Sequence, residues 1–130
     1  DHVFGNKSID SVKQRGLAIQ SLQLHLDDRV GVLHLDLEDM RAGDPDEVAN
    51  YGLMVKGVEV AVLLKEQEPG RYRISLRSRD AVDVSAVAGI FGGGGHSRAA
   101  GLRAEGAAAD IIDKILAETG RQLDRDPSCT

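Results

Sequence analysis

The stretch Gly92-Gly93-Gly94-Gly95-His96-Ser97-Arg98-Ala99-Ala100-Gly101 decides how this chain is read. Four consecutive glycines contribute no side chain to a core, and each loses about 0.5–1 kcal/mol more than alanine when its backbone is fixed in a regular element. Four in a row cost on the order of 2–4 kcal/mol, against a total margin of about 5–15 for a small domain. Bare backbone must serve something there. Two readings stand: exposed N–H groups laid against an anion, with phosphate the commonest case, or a tight turn crossed closely by another strand. Upstream, Asp83 is placed to cap a short helix carrying Val84, Val87, Ala88 and Phe91. Downstream, residues 99–103 read as a strand. The glycines therefore join a short helix to a strand.

Working outward, residues 8–24 read as a helix, capped by Ser8 or Asp10, with Ile9, Val12, Gly16, Ile19 and Leu22 at three- and four-residue steps. Asp27-Asp28 break it. Residues 30–35 form a buried strand. Asp44-Pro45-Asp46-Glu47 signals a second helix, running to Val55, with a cap, a proline at the first position and acids in the first turn. Residues 58–65 and 71–78 are two strands joined by Glu66-Gln67-Glu68-Pro69-Gly70, whose turn chemistry predicts a hairpin. In the second strand Tyr72, Ile74 and Leu76 alternate with Arg71, Arg73, Ser75 and Arg77, giving an apolar and a basic face. Residues 106–123 form a final helix, with Ile111, Ile112, Ile115 and Leu116 on one side, and residues 121–130 read as a frayed tail. The fold class is α/β: a mixed sheet of about four to five strands flanked by helices, in a single domain over residues 1–130.

Composition narrows the function. At 130 residues the chain can bury a real core. Two Phe, two Tyr and no Trp argue against a platform that stacks base after base. The net charge of −5 argues against a general polyanion binder. With Cys129 as its one cysteine, the chain holds no internal disulfide and no cysteine zinc cluster. No membrane-length apolar run or signal-peptide pattern is present, so the expectation is a cytoplasmic protein with no membrane partner. The first residue is Asp1, and residues 1–7 read as the remnant of a linker in a longer protein.

Charge is unevenly spread. Residues 71–103 hold six arginines (Arg71, Arg73, Arg77, Arg79, Arg98, Arg103) against Asp80 and Asp83, a local balance of +4, while the rest carries −9. Arginine's planar fork of donors suits bidentate contact with phosphate oxygens. Arg71 and Arg73 read more simply as strand residues pointing into water. Asp36, Glu38 and Asp39 read as solvent-facing acids at a strand end, and His2, His25 and His34 show no metal-ligand spacing. No Gly-Lys-Ser/Thr follows the glycines, which rules out a Walker-type phosphate loop.

The strand Ser75-Leu76-Arg77-Ser78, then a short helix, then Gly-Gly-Gly-Gly-His-x-x-Ala-Ala-Gly resembles the C-terminal DHH-associated domain of DHH phosphoesterases. The similarity extends to Gly57-Val58-Glu59-Val60-Ala61, to Val48-Ala49-Asn50-Tyr51 and to Val82-Asp83-Val84. It is greatest to bacterial short-oligoribonucleotide hydrolases that also dephosphorylate phosphoadenosine phosphate. The resemblance implies the substrate-binding domain of a metal-dependent phosphodiesterase. The partner half, a DHH domain holding two manganese ions, is absent here, so this chain alone is expected to be inactive and to hold no metal. By the same resemblance, backbone N–H groups of Gly92, Gly93, Gly94 and Gly95 receive a phosphate or ribose edge and Arg77 clamps a phosphate. Ser75 and Ser78 assist, His96 positions substrate, and Arg98 sits at a variable position of the motif. The implied partners are short RNA or a small nucleotide, the DHH domain of the same polypeptide and a second copy in a homodimer. Other readings are a cyclic-dinucleotide phosphodiesterase domain, a RecJ-type exonuclease domain, the terminal domain of alanyl-tRNA synthetases, and a nucleotide-binding module without chemistry.

Overall fold

The computed structural model describes residues 8–125, with the side chains of Asp46 and Arg125 left aside. The expectations for residues 1–7, for His2 and for Cys129 lie outside this span. Helix α1 (Ile9–Gln20) starts where Ser8 Oγ accepts the Ser11 N–H at 3.1 Å. It stops four residues short of the expected end. Ser21 turns its hydroxyl back to the Ala18 carbonyl at 2.6 Å and accepts the His34 N–H at 2.8 Å, which fastens the chain to the next strand. Residues 23–25 then form a short strand, β1 (Gln23–His25), antiparallel to β2 (Val30–Leu35). Between them Leu26, Asp27 and Asp28 are all left-handed, with φ of 53, 58 and 63°. Aspartates tolerate that conformation, whereas Leu26 is strained there and packs its side chain against the core.

After β2 come two 3-10 segments, Asp39–Ala42, which was not expected, and Asp46–Met54, where an α-helix from Asp44 to Val55 was expected. Pro45, not Asp44, stands at the start of the second, and no side chain caps it. Asp44 is diverted to Lys65 and Arg73, at 2.9 and 2.5 Å. Packing accounts for the tighter winding: a Cβ on Gly52 would sit 2.8 Å from Ala61 Cβ, so the segment is pressed onto the sheet. Strands β3 (Val60–Glu68) and β4 (Arg71–Ser78) make the expected hairpin. They are followed by α2 (Val84–Gly89), β5 (Gly94–Gly95), β6 (Ala99–Glu105) and α3 (Ala108–Arg125). Helix α3 continues past Gly120: Leu123 is fully buried, and Gln122 exchanges hydrogen bonds with the Asp83 backbone, so the fraying expected from residue 121 does not begin there.

The sheet has six strands in the order β1-β2-β3-β4-β6-β5, with β2 and β3 parallel and the other pairs antiparallel. The two strands missing from the sequence reading are the edges, three and two residues long. One face carries Val32, Val62, Leu64, Ile74, Leu76 and Leu102 under α2 and α3. The other carries Leu33, Leu35 and Leu63 under α1 and the second 3-10 segment. That second cover reaches β4 but goes no further, so β6, β5 and the side of β4 that faces them are left open on this face.

Asp83 caps α2 through its carboxylate, which accepts the Ser85 N–H at 2.9 Å. The side-chain hydrogen bond from Ser85, followed by backbone N–H groups, holds the carboxyl below its ordinary value of 3.8. Asp83→Ala is expected to cost about 0.5–2 kcal/mol in urea unfolding at neutral pH. Because the folded value is depressed, this contribution is complete above the ordinary carboxylate range and fades as pH falls through the folded value. The difference between variant and wild type should therefore be flat from pH 7 to 5 and shrink below about 3.9.

Candidate functional site

On the uncovered face, alternation along β4 presents Arg73, Ser75 and Arg77, and the register aligns these with Arg103, Gly101 and Ala99 of β6. Together with Phe91 and Gly92 to Gly95 they line an open cleft of about 640 Å³. Its floor is nearly bare. Ser75 faces Gly101, which in turn faces Gly94. Arg77 has Ala61 on one side and Ala99 on the other, so its guanidinium meets no bulky neighbour across the strands. Arg77 Nη1 donates to the Leu76 carbonyl at 2.9 Å, leaving the rest of its fork for the cleft.

The glycines divide by role, and both sequence readings have a share. A Cβ at Gly93 would collide with the Gly101 carbonyl oxygen and lie 2.8 Å from Leu102 Cβ. One at Gly95, whose φ is +149°, would lie 2.6 Å from Ala100 Cα. These two are glycine because β6 passes directly beneath them. Gly92, at φ +81°, ends α2: its N–H donates to the Gly89 carbonyl at 3.0 Å and that of Gly93 to the Ala88 carbonyl at 2.9 Å. Gly94 alone of the four has open space and no left-handed φ.

The expectation of four phosphate-receiving amides therefore narrows. Those of Gly92 and Gly93 are committed to the helix end. His96 and Ala99 exchange hydrogen bonds, at 2.7 and 3.2 Å, closing a two-residue turn at Ser97-Arg98. In an antiparallel ladder hydrogen-bonded and non-bonded pairs alternate, so Gly95–Ala100 is non-bonded and Gly94–Gly101 bonded. Gly94 thus points its N–H at β6, and Gly95 points its own outward along the free sheet edge that borders the cleft. One amide of the four remains.

The structure brings together Ser75, Arg77 and the glycines, and separates the other sequence candidates from them. Ser78 lies on the opposite face of β4, buried, with no hydrogen-bond partner for its hydroxyl. His96 and Arg98 are exposed on the hairpin outside the cleft lining, and Arg98 pairs with Asp80 at 3.1 Å. Arg79 is structural, donating to the carbonyls of Val58 and Leu53. Arg71 keeps its solvent-facing place, paired with Glu68 and Glu105 at 3.1 and 3.3 Å. Arg73 does not simply point into water: it lines the cleft and pairs with Asp44. Arg103 and Phe91 also line the cleft, and neither was a sequence candidate.

No described cluster fits a metal centre. Asp36 and Asp39 each accept the other's backbone N–H, at 2.9 and 3.2 Å, so their carboxylates close a turn. Burial, ahead of the neighbouring Asp36 charge, pushes the Asp39 carboxyl up. Among the described residues no three His, Cys, Asp or Glu side chains converge to hold an ion. Among the same residues no helix is long and apolar enough to cross a membrane.

The glycine assignment has a direct check. Gly93→Ala should lose about 1–3 kcal/mol or more in urea unfolding, because rigid backbone opposes the added methyl. Gly94→Ala should stay within about 0.5 kcal/mol of wild type.

Comparison with known proteins identifies the domain family. The chain is 29% identical over 111 residues to the bifunctional oligoribonuclease and PAP phosphatase NrnA of Thermus thermophilus. The match takes in 85% of this chain and 34% of that protein, so the chain spans about a third of the relative's length. The crystal structure of an exopolyphosphatase-related protein from Bacteroides fragilis has the same fold, with a TM-score of 0.79 at 22% identity, over 92% of this chain and 36% of the other. A pGpG-specific phosphodiesterase, PggH from Vibrio cholerae, superposes with a TM-score of 0.60 at 15% identity, over 84% and 40%. The DHHA1 domain model matches residues 29–123, from just before β2 through most of α3. The chain belongs to the DHHA1 domain family, which accompanies the catalytic domain of DHH-family phosphoesterases.

Proposed function

We propose that this domain holds the phosphate-bearing substrate of a DHH-family phosphodiesterase, with short oligoribonucleotides or phosphoadenosine phosphate as the substrate class. The observation that carries the reading is Arg77 set between two alanines above a floor of glycine, with the Gly95 amide free on the edge strand beyond β6. A planar guanidinium grips two phosphate oxygens at once. A floor without side chains lets a sugar–phosphate edge come down to the backbone. His96, exposed next along the hairpin, is assigned to positioning the ligand. The name of the Thermus relative supports the substrate class, since it hydrolyses oligoribonucleotides and PAP.

The residues of this domain orient the ester and neutralise its charge. Paired metal ions would activate the attacking water and stabilise the leaving oxygen; we assign them to a separate DHH domain of the same polypeptide, with manganese as the metal. The second reading is a linear dinucleotide, the substrate named for the Vibrio neighbour, because a cleft open along β4 admits an extended phosphodiester.

The test is a titration of the ¹⁵N-labelled chain with AMP. The Gly95 amide resonance should move. Arg77→Ala should weaken binding by about ten- to a hundredfold, the loss of one charge-assisted contact, and leave the sheet intact. Gly94→Ala should weaken it with no loss of stability. An AMP footprint away from Gly95 and Arg77, or unchanged affinity in Arg77→Ala, overturns the assignment.

A further inference from the structure

The cleft does not end at its arginine-lined rim. A second cavity of about 630 Å³ continues along β4 toward the β3–β4 turn, and the two share Arg73 and Arg103. These two residues face each other across β4 and β6 on the open side of the sheet. Like charges placed directly opposite destabilise a strand pair. Arg73 is offset by Asp44, at 2.5 Å, which it shares with the fully buried Lys65. Arg103 is exposed, and no carboxylate pairs with it among the described residues. The nearby acids do not relieve it: Glu68 and Glu105, in the second cavity, are both engaged by Arg71.

A folded chain that keeps two cations in register, one of them without a counter-charge, is arranged for an anion between them. Arg73 lies four residues from Arg77 along β4, about 13 Å at the usual rise per residue. A chain gripped at Arg77 and continuing along the strand passes over this pair. We infer that Arg73 and Arg103 form a second phosphate subsite, which takes the neighbouring phosphate of an oligonucleotide whose first phosphate sits at Arg77. The inference rests on the phosphate-holding role proposed for the cleft, and it adds a preference for ligands with two or more phosphates over mononucleotides. The orientation of Arg73 is set by Asp44, so its guanidinium is in place before a ligand arrives.

The experiment compares AMP with the 5′-phosphorylated dinucleotide pApA by amide NMR titration of the 130-residue chain. Wild type should bind pApA about tenfold more tightly than AMP or better. Arg103→Gln should remove that advantage while weakening AMP by no more than about twofold. Arg71→Gln, which removes the same charge from a residue already paired with carboxylates, should leave both ligands unchanged. Urea unfolding of Arg103→Gln should match or exceed wild type, since a like-charge pair has been relieved. If Arg103→Gln leaves the pApA advantage intact while both ligands still move Gly95, the subsite is wrong and the cleft reading stands. If Arg71→Gln weakens pApA as much as Arg103→Gln does, the effect is diffuse charge and the subsite is equally wrong. If neither ligand moves Gly95 in wild type, the cleft reading fails and the subsite with it.

Discussion

Backbone packed directly on backbone, where the glycine hairpin crosses β6, is the constraint on which the site depends. A side chain fits at neither Gly93 nor Gly95. On its other side β6 pairs with β4 in a register that sets Ala99, Gly101 and Arg103 opposite Arg77, Ser75 and Arg73. The bare floor and its two basic ends follow from that register together with the close passage of the hairpin. A bulkier hairpin would have to lift away, and both the edge strand and the outward amide of Gly95 would be lost with it.

Electrostatics adds a second level of organisation. Burying a charged lysine is costly unless it is paired and hydrogen-bonded. Asp44 meets that need for Lys65, which is inaccessible to solvent, and also reaches Arg73 on the cleft side. One carboxylate thus links the core under the 3-10 segment to the wall of the cleft. The remaining arginines of the basic segment sort by partner. Arg79 ties carbonyls together, while Arg98 and Arg71 meet carboxylates at the surface. Three of the six are thereby left to face the open sheet, which is why a chain of net charge −5 can present a basic cleft.

Much of this was legible in the residues, and the exceptions have physical causes. Long signals with a period read well: the alternation from Arg71 to Ser78, the Pro69-Gly70 turn and the Asp83 cap all lie where local chemistry puts them. Edge strands of two or three residues carry no period, so β1 and β5 are visible only through their partners. Asp44-Pro45 has the chemistry of a helix start, yet the ion pair with Lys65, twenty-one positions on, takes the aspartate away. Alternation alone separates Ser78 from Ser75 and Arg77, a signal that was present and outweighed by the Ser-Leu-Arg-Ser motif of the family resemblance. Arg103 could not be placed without the β4–β6 register. The free amide at Gly95 likewise required knowing that the last carbonyls of α2 take the Gly92 and Gly93 donors and the ladder takes that of Gly94.

The hairpin is also secured at its far end: the Ser97 carbonyl accepts the Val84 N–H at 3.0 Å, and that of Arg98 accepts the Ser78 N–H at 2.9 Å. A segment built from the most pliable residue is thus immobilised on three sides by its own fold. The entropy of ordering it is spent in folding, so docking a ligand withdraws none. Unlike the swinging flaps that glycine-rich stretches so often form, this one should superpose between empty and loaded states.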